Sequence, residues 1–513
     1  MAAYDYIVVG AGTSGCALAY RLATESDASV LLIEAGGRDD NPAIYSENLG
    51  DTMSLWGDPN LNWGYMTEPQ AALDGREIPV ARGKVWGGCS SINAILHVRG
   101  NPKDYDHWNY LGNEGWSYDE VLPYFKRLES FPSGDPTTRG HDGPVNVIVH
   151  DTPSPVSECL FEAAGELGFD NQGRDFDYNG STQAGSPFYY QANKKDHQRM
   201  SAAVAYLHPI LERDNFEVMS HTQVTKLIIK QGRVQGVRCV TEGASQDIHA
   251  NQEVIVCAGA YETPKLLMLS GIGPVKTLKA HGLEVVVDAP GVGQNLQDHL
   301  IVGICFLSKH ESPYPPTLIS ETGLFGHTRD GLTQASPNMQ IKCGGIKFVS
   351  PKYDQDGPGF TLAPVVTQPQ SVGHVTLRSA DPNDTAVLQP NYLTAEADMQ
   401  MLLTSTKLMR DLAHSNAFSE FYKVEIAPGD DVQDEAGLRA FLRENVTTLW
   451  HPVGTCKMGH DVMSVVTPQL QVHGVEGLRI ADASVMPRIV AGNTNAACTM
   501  IAEKAADMIL ASA

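Results

Sequence analysis

The chain has 513 residues, too many for one core, and its length points to two or three domains. Hydrophobic residues make up 42% and charged residues 19%, an ordinary globular balance. With 37 basic against 60 acidic side chains the formal charge is −23, which repels phosphate backbones and argues against a nucleic-acid partner. Residues 4–9, YDYIVV, then read as a buried parallel strand, GAGTSG at 10–15 as a turn, and CALAYRLATES as a helix. SVLLIEAGG follows as a second strand that ends in Glu34.

A lone GxGxxG is a weak signal. Set between strand and helix in a βαβ unit, with an acid nineteen residues beyond Gly15, it reads as a dinucleotide fingerprint. Gly10 permits the tight turn, Gly12 lets the backbone approach a pyrophosphate, and Gly15 allows close helix–strand packing. The helix start presents unpaired N–H groups to the phosphates. Glu34 can accept hydrogen bonds from a ribose diol; the plainer reading is a solvated surface acid. The fingerprint does not separate NAD from FAD, so an NAD-dependent Rossmann protein stays open at this point. No basic leader precedes the first strand, and a cytoplasmic chain is expected.

RGKVWGGCSSINAILHVRG, residues 82–100, is too glycine-dense for a helix or strand interior. Such a loop either wraps a large planar ring and its phosphates with backbone amides or is a plain glycine-rich turn. HTQVTKLIIKQGRVQGVRCV, 221–240, reads as a β-hairpin, and ANQEVIVCAGA as a buried strand ending at Ala258–Gly259. HVTLRSADP, 374–382, alternates as a strand should, while ADMQMLLTSTKLMRDLAH and DEAGLRAFLREN read as amphipathic helices. In TTLWHPVGTCKMG, 447–459, His451 is a base, a metal ligand or a packed histidine, and the stretch alone leaves all three open. The last segment, AACTMIAEKAADMILASA, is a helix whose Met500 reads as core. No run approaches the roughly 18 apolar residues of a membrane span. The nine cysteines form no CxxC pair and no zinc-spaced Cys/His cluster, so no metal is expected and a reducing compartment is.

GKVWGGCSSIN, GAYETPKLLMLSGIG at 259–273, GVGQNLQDH at 291–299, HPVGTCKMG at 451–459 and LRIADASVMPRIVAGNTNA at 478–496 occur in order along the chain. Together they resemble the glucose–methanol–choline (GMC) oxidoreductase family over the whole length. The resemblance implies an α/β fold in which a Rossmann-type FAD-binding domain (1–150, 200–300 and 445–513) is interleaved with a discontinuous α+β substrate-binding domain. The latter, an antiparallel sheet flanked by helices, takes 151–199 and 301–444. FAD contacts are implied for Gly10, Gly12, Thr13, Ser14 and Gly15, for Glu34 and Ala35, and for Val85, Gly88, Cys89, Asn93, Ala94, Ile95 and Leu96. They are implied too for Val224 near the adenine, Ala258 and Gly259 near the pyrophosphate, and Asp482, Ala483 and Thr494. Asp482 also reads as a helix N-cap. Ile92 stands where some members carry a flavin-tethering histidine, so the FAD is expected to be non-covalent. His97 stands where an aromatic is common and is read as structural.

By the same resemblance His451 matches the family's catalytic histidine and Asn493 its second catalytic position. The implied reaction passes a hydride from an alcohol to flavin N5 while His451 takes the hydroxyl proton and Asn493 holds the oxygen. Trp63 and Trp450 are candidate pocket walls, suited to aromatic alcohols or, through cation–π contact, to a quaternary ammonium. A primary alcohol oxidised to an aldehyde leads, with O₂ or a quinone-type molecule as electron acceptor. The alternative is a hydroxynitrile-lyase-like enzyme of the same fold whose flavin is not reduced. The sequence is silent on oligomeric state.

Overall fold

The computed structural model describes residues 3–150, 152–173, 175–313, 316–329 and 331–512. Two large sheets organise the chain. The first has seven strands, in the order 216–219, 30–33, 3–9, 244–256, 233–241, 222–230, with 478–480 also paired to 244–256. Strands 3–9, 30–33, 216–219 and 478–480 run parallel to their neighbours, as βαβ crossovers require. Val30–Ile33 is buried at all four positions, the continuous apolar run of a strand covered on both faces.

The first crossover helix is Thr13–Glu25, and its approach to the sheet depends on two glycines. Gly10 turns the chain with φ +101°, and a Cβ on Gly15 would lie 1.8 Å from the Gly10 carbonyl oxygen. Any side chain at residue 15 would push the helix off the turn. Asn495–Leu510 packs against this helix, with Met500 fully buried in the shared core.

The strand read from ANQEVIVCAGA is longer than its apolar run and spans Ala244–Val256. Its first half is the third member of the antiparallel hairpin set, and its second half runs parallel to Ala3–Val9. HVTLRSADP forms only a short strand, His374–Thr376. Beyond it Arg378 bonds Glu68, and the Ser379, Asp381 and Asp384 side chains close a turn, which pulls the backbone off the ladder.

The second sheet has eight strands, ordered 422–427, 304–308, 359–366, 339–344, 322–326, 187–189, with 300–301 joining 359–366 to 447–448. Every pairing in it is antiparallel. Helices Pro155–Glu166, Glu396–Ala413 and Glu435–Asn445 cover one face and share its apolar core. A smaller sheet, 129–130, 145–149, 191–195 and 198–199, sits apart from both. The fold is therefore mixed α/β, a Rossmann-type sheet combined with an antiparallel, helix-backed one.

Leu300–Ile301 and Thr447–Thr448 lie where the chain crosses between the two sheets. A further bridge joins Gln297 to Val453. These two pairings bracket Asp298–His299 on one strand and Leu449–Pro452 on the other, and they force the two segments together.

Candidate active site

A cavity with about 1730 Å³ of empty space, part of it open to solvent, lies between the two sheets. Its lining is drawn from the loops of the first sheet and the strands of the second. One side is built from the first sheet's loops. It gathers Gly12, Thr13 and Ser14; Gly88, Cys89 and Asn93 to Leu96; Ala258 and Gly259; and Asp482, Ala483, Asn493 and Thr494. Trp63, Trp450 and His451 complete that side.

Gly10, Gly15, Glu34, Ala35, Val85 and Val224 do not line this continuous cavity. The two glycines shape the turn. Glu34 is buried, not solvated, and braces the same turn: its Oε2 accepts from Ala11 N at 2.8 Å and its Oε1 from Gly36 N at 2.8 Å. Burial pushes its pKa up to about 7, against the pull of those amides. Val85 is core, while Ala35 and Val224 are half-buried on the first sheet's side.

The surfaces fit a dinucleotide. A Cβ built on Gly12 meets nothing within 4 Å, so its backbone faces open space at the start of a helix. A Cβ on Gly88 would lie 2.7 Å from Gly12 Cα, so the two glycine loops are pressed together. Asp482 caps the short helix Ala483–Val485 through Ser484 N and also accepts from Gly259 N at 2.8 Å, tying two cavity loops to each other. Thr13 donates to Asn495 Oδ1 at 3.1 Å, joining the dinucleotide turn to the last helix.

His451 is 9% exposed and its backbone N–H donates to Asp298 Oδ1 at 2.8 Å. The other oxygen of Asp298 accepts from Thr448 and Tyr392 hydroxyls, both at 2.6 Å. Trp450, immediately before, has φ +61°, a strained region for a bulky side chain. It is held there by the Thr448 hydroxyl on its N–H and by Arg82 on its carbonyl. The strained residue turns the His451 imidazole into the cavity.

The imidazole's hydrogen bonds define its tautomer. His299 Nε2 lies 3.1 Å from the Thr367 carbonyl oxygen, which can only accept, so Nε2 carries the proton. A neutral His299 then offers Nδ1 as an acceptor, 3.0 Å from His451 Nδ1. His451 Nδ1 must donate, which leaves its Nε2 with a lone pair. Asn493 Nδ2 sits 3.2 Å from that lone pair, and Asn493 Oδ1 is buried without a partner among the described residues. Burial drives the His299 pKa down to about 3. Burial, then His299, Lys342 and Arg82, hold His451 well below the usual histidine value. Both rings are neutral at neutral pH.

His97 lies elsewhere, bonded to Asn193 at 2.8 Å and to Glu129 at 3.0 Å, in a structural role. Sequence reasoning passed over His299, Asp298, Arg82, Trp56 and Lys342. The histidine that ends GVGQNLQDH was the available signal for the first of these. Among the described residues no group of three or more His, Cys, Asp or Glu could hold a metal, and no helix is long and apolar enough to cross a membrane.

Family models described as GMC oxidoreductase match residues 4–301 and 369–502. The chain belongs to the GMC oxidoreductase family. An oxygen-dependent choline dehydrogenase of Rhizobium etli is 39% identical over 99% of this chain and 95% of that protein. The crystal structure of pyridoxine 4-oxidase from Mesorbium loti superposes with a TM-score of 0.92 at 32% identity, covering 98% of each chain. A formate oxidase from Aspergillus oryzae gives 0.90 at 26% identity over 100% of this chain and 98% of the other. The chain is accordingly an FAD-dependent oxidoreductase acting on CH–OH donors, and NAD-dependent and lyase chemistry are not favoured.

Proposed function

We propose that this GMC oxidoreductase converts a primary alcohol to an aldehyde, with His451 as proton acceptor and Asn493 as hydrogen-bond donor to the substrate oxygen. The observation that carries this is the lone pair on His451 Nε2, fixed by the His299–Thr367 chain and paired with Asn493 3.2 Å away. When bound, FAD supplies the acceptor for the hydride that leaves the carbinol carbon. The chain's own residues handle the proton. The substrate hydroxyl enters between Nε2 and the Asn493 amide and passes its proton to Nε2, while the amide N–H steadies the charge on oxygen. Nδ1–H, held on His299, keeps the ring from rotating and from presenting the wrong nitrogen.

The glycine turn and the 88–96 loop would hold the dinucleotide, with Glu34 bracing that turn through Ala11 N. The cofactor is non-covalent in this reading, supported by Ile92, which lines the cavity without a nucleophile. Trp63 and Trp450 form walls, and choline and pyridoxine, named for the relatives, each carry a CH₂OH group. The partition into an FAD domain (1–150, 200–300, 445–513) and a substrate domain (151–199, 301–444) is supported by most strands of the two large sheets, with 447–448 joining the second sheet and the small sheet linking 129–149 to 191–199. Nine free cysteines, six of them buried, support a reducing, cytoplasmic setting.

The test is anaerobic. Mixing the FAD-loaded protein with benzylic, furanic and aliphatic primary alcohols is expected to bleach the flavin absorbance with at least one of them. A flavin that stays oxidised with every alcohol overturns the reading. Reoxidation by air rather than by an added quinone identifies O₂ as acceptor.

A further inference from the structure

The half of the cavity remote from Gly12 is walled by the second sheet and is largely apolar, with Ile301, Phe348, Ala363 and Leu449 packed as one cluster. A charged side chain nevertheless enters it. Lys342, on the strand Met339–Gly344, is 5% exposed and lines this chamber. Its ammonium donates to the Tyr190 hydroxyl at 3.2 Å and lies 4.6 Å from the Tyr190 ring centre. An ammonium has three donors, and burying one without an anion is costly.

The described acids nearest the chamber are engaged elsewhere. Glu321, on the neighbouring stretch of chain, accepts from the Ser154 and Ser157 hydroxyls. Glu262 is bonded to Tyr65 and Lys265. Asp482 is held by Gly259, Thr263 and Ser484, and Asp298 by Thr448, Tyr392 and the His451 N–H. Burial alone moves the lysine, whose pKa falls to about 7 with no carboxylate contributing. Its charge also disfavours protonation of His451 and His299.

The aromatic walls offer little to a cation. Lys84 Nζ already sits 4.7 Å from the Trp63 ring centre, Tyr65 stacks on that tryptophan, and Trp450 packs on Trp56 with centroids 5.0 Å apart. A quaternary ammonium seated in this chamber would face Lys342 without a counter-charge.

We propose that Lys342 is a specificity-determining residue that binds an anionic group of the substrate, so that the alcohol oxidised here carries a carboxylate or phenolate at the end opposite its CH₂OH group. This deepens the alcohol-oxidation reading and rests on it. The anion completes the donors of Lys342 and restores its charged form, while the apolar cluster covers the body of the molecule and the hydroxyl reaches His451.

The test compares three aryl alcohols of similar size on the FAD-loaded enzyme without oxygen: 4-(hydroxymethyl)benzoate, its neutral amide, and the 4-(hydroxymethyl)phenyltrimethylammonium ion. The rate of flavin reduction over apparent Kd is expected to favour the anion over the amide by roughly 10- to 100-fold, with the cation poorest. In Lys342→Met, a change of similar length, the anion-to-amide ratio is expected to fall toward one. Equal rates for anion and amide, a preference for the cation, or an undiminished ratio in Lys342→Met overturns the proposal. If no alcohol bleaches the flavin, the oxidation reading fails by itself. Binding of benzoate against benzamide, followed by flavin difference spectra, then decides on Lys342: tighter benzoate upholds it, and equal affinities overturn it.

Discussion

Two buried polar centres in this molecule are each built around a histidine, and they differ in how completely their hydrogen bonds are used. At Glu129 the carboxylate accepts from Arg99 at 2.6 Å, from Arg139 at 2.7 Å, from His97 at 3.0 Å and from Gly140 N at 3.1 Å. Burial alone would push its pKa up, yet Arg99, His97 and Arg139 outweigh that and hold it well below the usual carboxylate range. At His451, among the described residues, the Nε2 lone pair meets only the Asn493 amide at 3.2 Å, Asn493 Oδ1 has no partner, and the ammonium of Lys342, which lines the same cavity, has the Tyr190 hydroxyl as its one hydrogen-bond partner. Buried polar groups are normally satisfied, so a centre that keeps unused capacity is where a ligand completes the structure. The first centre is scaffold and the second is machinery, although a histidine and strong charges occur in both.

This contrast can be broken from either side. Glu129→Gln should have the largest effect on stability, about 3–5 kcal/mol, because among the described residues it leaves the buried Arg99 guanidinium without a carboxylate and Arg139 with Asp177 alone. Urea unfolding checks it, and flavin reduction per folded molecule should persist. The folded carboxyl titrates below its ordinary 4.5, so the unfolded chain takes up protons first as the pH falls. The wild-type advantage over Glu129→Gln is therefore complete above about pH 4.5 and shrinks below it.

Asn493→Ala should slow anaerobic flavin reduction about 100- to 1,000-fold, as removal of a charge-stabilising donor does, with little change in the unfolding midpoint. His299→Asn should cost less, about 10- to 100-fold, because it acts through the orientation of His451. His299 also helps hold the His451 pKa down. Its loss should move the acid limb of the reduction rate upward in pH, toward the ordinary histidine value of 6.5. A purely structural defect would lower the rate without moving that limb.

The dinucleotide turn was legible in the sequence because its code is local. Gly10, Gly12 and Gly15 act within six residues, and a strand and a helix flank them. His451 and Asn493 were legible through extended motifs and a family resemblance, not through spacing. The relay behind His451 was not, because His299 meets it from 152 residues away and only the crossing of two sheets brings them together. Lys342 was hidden for a different reason. In MQIKCG a lysine between apolar residues reads as the solvent side of a strand, yet every residue of that strand is buried. Glu34 reads as a ribose ligand, while its bonds to Ala11 N in the turn and Gly36 N on its own segment give it a bracing role that no spacing rule reports.

The central claim is that His451 Nε2 accepts the substrate proton. The most direct measurement is the rate of anaerobic flavin reduction by a reactive primary alcohol in His451→Ala, with bound FAD verified from its absorbance. The account predicts that FAD stays bound and that reduction slows about 100- to 10,000-fold. A variant that bleaches its flavin at the wild-type rate would contradict it.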